Sequence, residues 1–244
     1  MNSPNSINWF EEGFGKEYLT VYQHRDESEA HVLANLIRSR VRCAEGSPAL
    51  DVACGAGRHR RFLGNHQWVV GIDLSSALLR IARGMDQGAL LVRADMRALP
   101  FRSGTFALVV NLFTSFGYFN DDSQHQLVVA EIARVTAPGG WFVLDFLNAR
   151  YVRRTLVPFD QRQIGSLLVV QKREISTDGR YVHKSIKMIG TDRIFHERVR
   201  LFDLKDLTSM LQACGFTITE ALGDYQGGPV TTGSPRVILV GRRL

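Results

Sequence analysis

Leu50-Asp51-Val52-Ala53-Cys54-Gly55-Ala56-Gly57-Arg58-His59 joins a short apolar run to a glycine-rich turn. Gly55 and Gly57 carry no Cβ, so a ligand can approach the backbone there, and a helix that follows such a turn opens with unpaired N–H donors. A glycine pair alone is equally a tight strand-to-helix turn with nothing bound. The flanking sequence decides between the two.

Upstream, Glu27 to Val41 places Val32, Leu33, Leu36, Ile37 and Val41 near helical spacing, and Ser47-Pro48 ends that pattern before a buried strand over Ala49 to Ala53. Downstream, Trp68 to Ile72 is a second apolar run. Ser75 then caps a helix whose apolar face is Ala77, Leu78, Ile81 and Ala82. Leu90 to Val92 and Phe106 to Val110 read as further strands, Asp122 to Val135 as a helix stopped by Pro138-Gly139-Gly140, and Trp141 to Leu144 as a fifth strand. Strands alternating with helices pair in parallel through right-handed crossovers, which predicts a doubly wound, mostly parallel α/β sheet.

From Leu167 the rhythm changes. Leu167–Ile175, Tyr181–Ile189 and Ile194–Phe202 alternate with no helix between them, and hairpin-type turns fall at Asp178-Gly179 and Gly190-Thr191-Asp192. An antiparallel insertion between the fifth strand and the last helix is expected, serving as a lid or substrate platform. Leu204 to Cys214 is that helix, Gly215 caps it, and Phe216–Ala221 and Val237–Val240 close a seven-stranded sheet. The expected division is an N-terminal helical segment and core over 1–150, the insertion over 151–203, and completion of the core over 204–244.

With 244 residues, 45% hydrophobic and 22% charged, the chain can bury a sizeable core, which excludes a disordered protein. Only 7 prolines accompany 22 glycines, against a collagen-like or low-complexity class. No apolar run approaches the ~20 residues of a bilayer-spanning helix. Met1 to Phe10 is polar and lacks the layout of a secretory signal, so a cytoplasmic protein is expected. Cys43, Cys54 and Cys214 are odd in number and show no metal-ligand spacing, which predicts reduced thiols and no metal. The net charge of +6 is localised, because Arg150 to Asp206 holds 13 Lys/Arg against 7 Asp/Glu while the remainder balances at 17 against 17.

The second strand ends in Gly71-Ile72-Asp73-Leu74-Ser75, which places a carboxylate 22 residues after Asp51 at the same sheet edge, where it can accept from both hydroxyls of a ribose. Arg93-Ala94-Asp95-Met96 adds a third acid just past strand three. Asp51-Val52-Ala53-Cys54-Gly55-Ala56-Gly57, Gly71-Ile72-Asp73-Leu74-Ser75, Ala94-Asp95-Met96 and Leu127 to Gly140 together resemble the class I S-adenosylmethionine-dependent methyltransferases, over about Pro48 to Phe146 and again from Leu204 to Gly241. The resemblance implies a Rossmann-like sheet, S-adenosyl-L-methionine as cofactor and S-adenosyl-L-homocysteine as product. It implies that Gly55 and Gly57 hold the methionine part, Asp73 the ribose, and Asp95 with Met96 the adenine, with Asp51, Ala53, Leu74, Asn111 and Leu112 completing the cofactor set.

A nicotinamide dehydrogenase uses the same sheet and an acid on the ribose, but its fingerprint wants glycine or alanine where this chain has Arg60, and Asp51 suits a cationic cofactor better than a pyrophosphate. After strand four, Asn111-Leu112-Phe113-Thr114-Ser115-Phe116-Gly117-Tyr118-Phe119 lacks the Pro-Pro-aromatic signature of adenine-amine methylation, and no cysteine is placed as a nucleophile for cytosine chemistry. Phe116 and Tyr118 are the aromatic residues expected to face the acceptor, with Phe113 and Phe119 packing. Asp224 and Tyr225 of the last loop are further acceptor-site candidates. Methyl transfer needs alignment more than acid–base help. If a base is used, Tyr22, His24, His196, Glu197 and Tyr225 are the candidates, and Arg25 is a candidate for the cofactor carboxylate. A small-molecule acceptor, at N or O, is favoured. The alternatives are an RNA methyltransferase, binding tRNA or rRNA through Arg150, Arg153, Arg154, Lys172, Arg173, Lys184 and Lys187, and a non-catalytic cofactor-binding protein.

Overall fold

All four residues of Ala49–Val52 are buried, as expected of an apolar run covered on both faces at the centre of a parallel sheet. The structure, a computed structural model, describes residues 27–63, 68–191 and 194–244. In chain order the elements are α1 (Glu27–Arg40), β1 (Ala49–Val52), β2 (Val69–Asp73), α2 (Ser76–Met85), β3 (Leu90–Arg93), β4 (Phe106–Asn111), α3 (Asp122–Val135), β5 (Thr136–Leu147), α4 (Ala149–Thr155), β6 (Phe159–Ile164), β7 (Leu167–Ile175), β8 (Tyr181–Met188), β9 (Ile194–Arg200), α5 (Leu204–Ala213), β10 (Phe216–Leu222) and β11 (Arg236–Arg243). Among the described residues, seven strands form a sheet in the order β10-β11-β5-β4-β1-β2-β3, and β6-β7-β8-β9 form a separate antiparallel sheet.

In the large sheet β1 pairs in parallel with both β2 and β4, so the strand order reverses beside β1, while β11 runs antiparallel to β5 and β10. Such a reversal opens a crevice at the carboxyl edge, where doubly wound sheets bind ligands. Alternate residues feed two cores. Leu50, Val52, Val109, Phe142, Leu144 and Phe146 pack with α3 and α5, whereas Ala49, Leu108, Val110 and Val143 pack with Leu33, Leu36 and Ile37 of α1. The helix starts follow local chemistry. Ser75 Oγ accepts from the Leu78 amide at 3.2 Å, and Asp203 with Asp206 forms a capping box on α5.

Two elements differ from expectation. β5 begins at Thr136, immediately after α3, and takes Pro138-Gly139-Gly140 into a bulge where its register on β4 shifts between Phe106 and Leu108. The insertion has four strands rather than three. β6 carries Asp160, Gln161, Arg162 and Gln163, too polar to read as a strand, and forms because it pairs along one edge of β7.

Five of the insertion's cations make ion pairs within the protein. Arg200 and Arg180 both reach Asp122 at the start of α3, with closest distances of 3.1 and 2.7 Å, and Arg153 pairs with Asp203 at 2.9 Å. Arg173 pairs with Asp160 at 2.6 Å and Lys184 lies 3.6 Å from Glu197. The Arg200 amide donates to the Gly117 carbonyl at 2.8 Å and the Tyr181 hydroxyl to that of Asn120 at 3.0 Å. The small sheet is thereby fastened to the segment that follows β4. No helix among the described residues is long and apolar enough to cross a membrane.

Candidate active site

At the carboxyl edge of β1, β2, β3 and β4 lies a cavity of about 520 Å³. The glycine loop forms its floor. Ala53, Gly55 and Gly57 take left-handed φ values of 57, 56 and 80°, turning the chain sharply out of β1. A Cβ on Gly55 would meet only Leu78 Cδ1, at 3.9 Å, so that backbone stays open to the cavity. Gly57 does something else. It lies outside the wall, and a Cβ there would stand 3.3 Å from Ala82 Cβ, so its smallness lets α2 pack close to the loop. Gly71 is required by the same loop, since a Cβ would come within 2.7 Å of Cys54 Sγ.

Three carboxylates line this half of the cavity. Asp73 accepts from the Gly55 amide through Oδ2 and from the Ser75 amide through Oδ1, each at 2.8 Å, so the ribose candidate also fixes the glycine loop. Burial raises its pKa, and the amides of Ser75, Gly55 and Leu74 oppose that rise. Asp51 is 1% exposed and its Oδ2 has no hydrogen-bond partner. Burial first, then the neighbouring charge of Asp73, pushes its pKa up to about 7, with Arg60 pulling the other way. A buried carboxylate oxygen without a donor is costly, and a cationic ligand group would satisfy it. At Asp95 burial is the largest influence and acts upward, but the Arg97 side chain and amide together outweigh it and hold the carboxyl below its ordinary value. Arg97 grips Asp95 at 2.6 Å and also donates to Gln124. Ala53, Leu74, Met96 and Leu112 all reach the wall as expected.

Asn111 does not. It is fully buried behind the wall, where Nδ2 donates to the Val52 carbonyl at 3.0 Å and ties β4 to the end of β1. Arg60, in the place of the dinucleotide fingerprint's third glycine, is spent on an ion pair with Asp86 and a bond to the Val69 carbonyl.

The opposite wall is Phe113, Ser115, Tyr118 and Phe119. Phe116 is corrected: at 1% exposure it sits in the core among His125, Phe146 and Phe202, because the turn after β4 swings its ring inward and Phe113 outward. The swing comes from two consecutive left-handed residues, Phe113 at φ 57° and Thr114 at φ 64°, a conformation that costs about 1–2 kcal/mol per non-glycine residue. The Phe113 ring lies under the guanidinium of Arg58, 4.4 Å from its centroid, with that of Arg236 at 5.6 Å. Its π system is thus engaged by the protein's own cations.

Among the base candidates, Tyr22 and His24 lie outside the described residues, as does Arg25. His196 is exposed on β9 and Glu197 faces Lys184, both away from the wall. Tyr225 is off the cavity wall and donates its hydroxyl to Asp145 Oδ2 at 2.9 Å, and burial followed by the Asp145 charge raises its pKa far above its ordinary value. Asp224 is likewise off the wall, its Oδ1 accepting from the amides of Gln226 and Gly228 at 2.9 Å to close its own loop. Sequence reasoning missed His59, 8% exposed and the one imidazole on the described wall, although it directly follows the glycine loop. It also missed the wall cations Arg58 and Arg61. The groups His, Cys, Asp and Glu form no cluster suited to a metal among the described residues.

The sequence profile of a methyltransferase domain family matches residues 49–140. The chain is 37% identical over 135 residues to the dTDP-3-amino-3,4,6-trideoxy-alpha-D-glucopyranose N,N-dimethyltransferase of Streptomyces venezuelae, a match spanning 54% of this chain and 52% of that protein. Residues 49–140 belong to that methyltransferase domain family, and the chain around them carries the fold of the class I S-adenosylmethionine-dependent methyltransferases. A second relative, the dTDP-3-amino-3,6-dideoxy-alpha-D-glucopyranose N,N-dimethyltransferase of Streptomyces fradiae, is 28% identical over 239 residues, covering 92% of this chain and 87% of that protein. The solved structure of an amino pentose methyltransferase from Micromonospora echinaspora, bound to S-adenosylmethionine, shares the fold of this class I methyltransferase with a TM-score of 0.70 at 23% identity, over 94% of this chain and 97% of that one. The residues of this methyltransferase fit the family's cofactor: an unpartnered buried oxygen on Asp51 for a cationic group, an open backbone at Gly55, and acids at Asp73 and Asp95 for hydroxyl and amine donors.

Proposed function

We propose that the protein methylates the amino group of a small acceptor, an amino sugar carried on a nucleotide, with S-adenosyl-L-methionine as methyl donor. The observation that carries this reading is the extent of the similarity to the Streptomyces fradiae protein. It runs over 92% of the chain and therefore includes the insertion and the closing loop, well past the cofactor segment at 49–140. When bound, the cofactor supplies a methyl group already activated on a sulfonium.

The chain's own residues then have three tasks. Gly55, Asp51, Asp73, Asp95 and Met96 hold the cofactor. Phe113, Tyr118 and Phe119 exclude water from the reacting end and confine the acceptor, and alignment of this kind supplies most of the acceleration of a direct displacement. Ser115 and Tyr118 donate their hydroxyl protons to the carbonyls of Leu112 and Thr114, at 2.9 and 2.8 Å, and the Ser115 oxygen on the wall keeps lone pairs that can accept from an acceptor N–H. A neutral amine attacks without a base, and the proton shed by the new ammonium passes to water.

The test is incubation with labelled S-adenosylmethionine and a dTDP-3-amino-sugar, beside the same sugar carrying hydroxyl in place of amine. The expected result is one and then two methyl groups on the amine, with the hydroxyl analogue untouched. Methylation of the hydroxyl sugar, or label appearing only in an RNA fraction of cell extract, overturns the reading. Of the seven cations that would serve RNA, Arg153, Arg173 and Lys184 already face internal carboxylates, which reduces the charge the insertion could offer it.

A further inference from the structure

Asp145 is fully buried at the carboxyl end of β5, outside the cavity, yet four groups converge on it. Its Oδ2 accepts from the Phe113 amide at 2.9 Å and from the Tyr225 hydroxyl at 2.9 Å. Its backbone carbonyl accepts from the Thr114 amide at 3.0 Å. Its Oδ1 takes Nε of Arg236 at 2.8 Å, and Nη1 of that arginine donates to Thr114 Oγ1 at 3.2 Å. Phe113 and Thr114 are the two left-handed residues of the acceptor wall, and the Thr114 carbonyl in turn receives the Tyr118 hydroxyl at 2.8 Å. A strained pair of this kind persists only where its surroundings over-determine it. Here both backbone amides of the pair and the Thr114 hydroxyl are met by Asp145 or Arg236.

We propose that Asp145, Arg236 and Tyr225 are positioning residues: acting through Phe113, Thr114 and Tyr118, they set the acceptor wall against the cofactor half of the cavity and so govern acceptor alignment without touching acceptor or cofactor. Tyr225 locks the carboxylate's orientation, and Arg236 spans from that carboxylate to the Thr114 side chain. This deepens the amino-sugar reading and rests on it only for the choice of acceptor.

The test compares Tyr225→Phe and Arg236→Lys with the parent, both keeping bulk or charge so that the fold survives. Cofactor affinity by calorimetry should stay within about twofold, while kcat with the dTDP-3-amino-sugar falls by about tenfold to a hundredfold, a loss typical of misalignment. In a cycle with Tyr118→Phe the losses should be less than additive, because all three changes release the same wall. Independently of any acceptor, hydrogen exchange of the Phe113 and Thr114 amides should accelerate in both variants while the amides of the glycine loop keep their rates. If the parent turns over no amino sugar, the acceptor assignment fails and the exchange arm still decides the positioning role. Unchanged exchange at Phe113 and Thr114, or kcat within twofold of the parent in folded variants, overturns it. If Asp145→Asn also folds, it should show the largest exchange effect of the three, and a smaller effect than Tyr225→Phe overturns the central place given to Asp145.

Discussion

The cofactor half and the acceptor half of the cavity face each other across a few side chains but are assembled by different means. In the cofactor half the ties are short in sequence. Asp73 binds amides 18 residues before it and two after it, and Asp95 is held by Arg97 two residues on. In the acceptor half, Phe113 is tied to Asp145 32 residues away, and Asp145 is tied to Tyr225 and Arg236 another 80 and 91 residues on. Local turns and strand ends build the first half, so its chemistry is fixed by a few adjacent positions. Distant elements close the second, and it can be remodelled for a new acceptor while the first is left alone.

The largest effect expected from this contrast is at Asp73. Asp73→Ala removes an acceptor for two backbone amides and for the ribose hydroxyls, and should weaken cofactor binding by at least about a hundredfold. Exchange at the Phe113 and Thr114 amides should not change. Calorimetry showing affinity within twofold of the parent, or a disturbed acceptor wall, would break the separation between the halves.

Next is the pH dependence of cofactor capture. Asp51, with its pKa near 7, is neutral in acid and offers a cation nothing, so affinity should fall as pH drops from about 7 to 5.5, approaching tenfold per unit. That range lies below the titration of the cofactor's own α-amino group. Asp51→Asn should bind weakly with a flat profile; a parent profile already flat over this range rules the assignment out.

The two halves should also pull stability in opposite directions. Asp51 has a folded pKa above its ordinary 3.8, so the unliganded fold binds more protons than the unfolded chain. Its contribution is present below pH 3.8 and is lost as pH rises towards 7. His125, enclosed by Phe116, Phe119 and Phe202 and accepting from the Phe119 amide at 3.3 Å, has its pKa lowered by burial from 6.5 to about 4. Its contribution, on the order of 3 kcal/mol, is present above pH 6.5 and is lost as pH falls towards 4. Urea titrations of His125→Gln should show a lower stability at pH 7 and a shallower acid decline than the parent. An unaltered decline would mean that some other group carries it.

The smallest effect belongs to the fastening of the insertion. Arg180, 49% exposed, should cost under about 1 kcal/mol on truncation to Ala, whereas Arg200, 11% exposed and bound to the same Asp122, should cost more. Equal losses by thermal denaturation would show that the exposed pair does as much as the enclosed one.

The same contrast explains what could be read from the sequence. Strand alternation, the glycine turn, Asp73 and Asp95 were legible because each depends on residues within one turn or one strand end. Phe116 and Phe113 exchange places relative to expectation because nothing in a run of aromatic residues announces left-handed backbone at Phe113 and Thr114; the cause is Asp145, far along the chain. Tyr225 and Asp224 carry the right atoms for a site, and only three-dimensional contacts reveal that those atoms are already engaged. β6 was invisible because its polar sequence becomes a strand by pairing with β7 rather than by its own hydrophobic pattern.

β11 enters the large sheet against the direction of its neighbours, so its first residue, Arg236, arrives opposite Leu147 at the edge where the parallel strands finish. A chain leaving the ribosome can therefore form the glycine loop and its carboxylates early, yet must wait until Arg236 has emerged before the turn after β4 can be clamped. Loss of the Arg236 side chain alone, with β11 left in place, would leave a protein able to take up its methyl donor and poorly able to present anything to it.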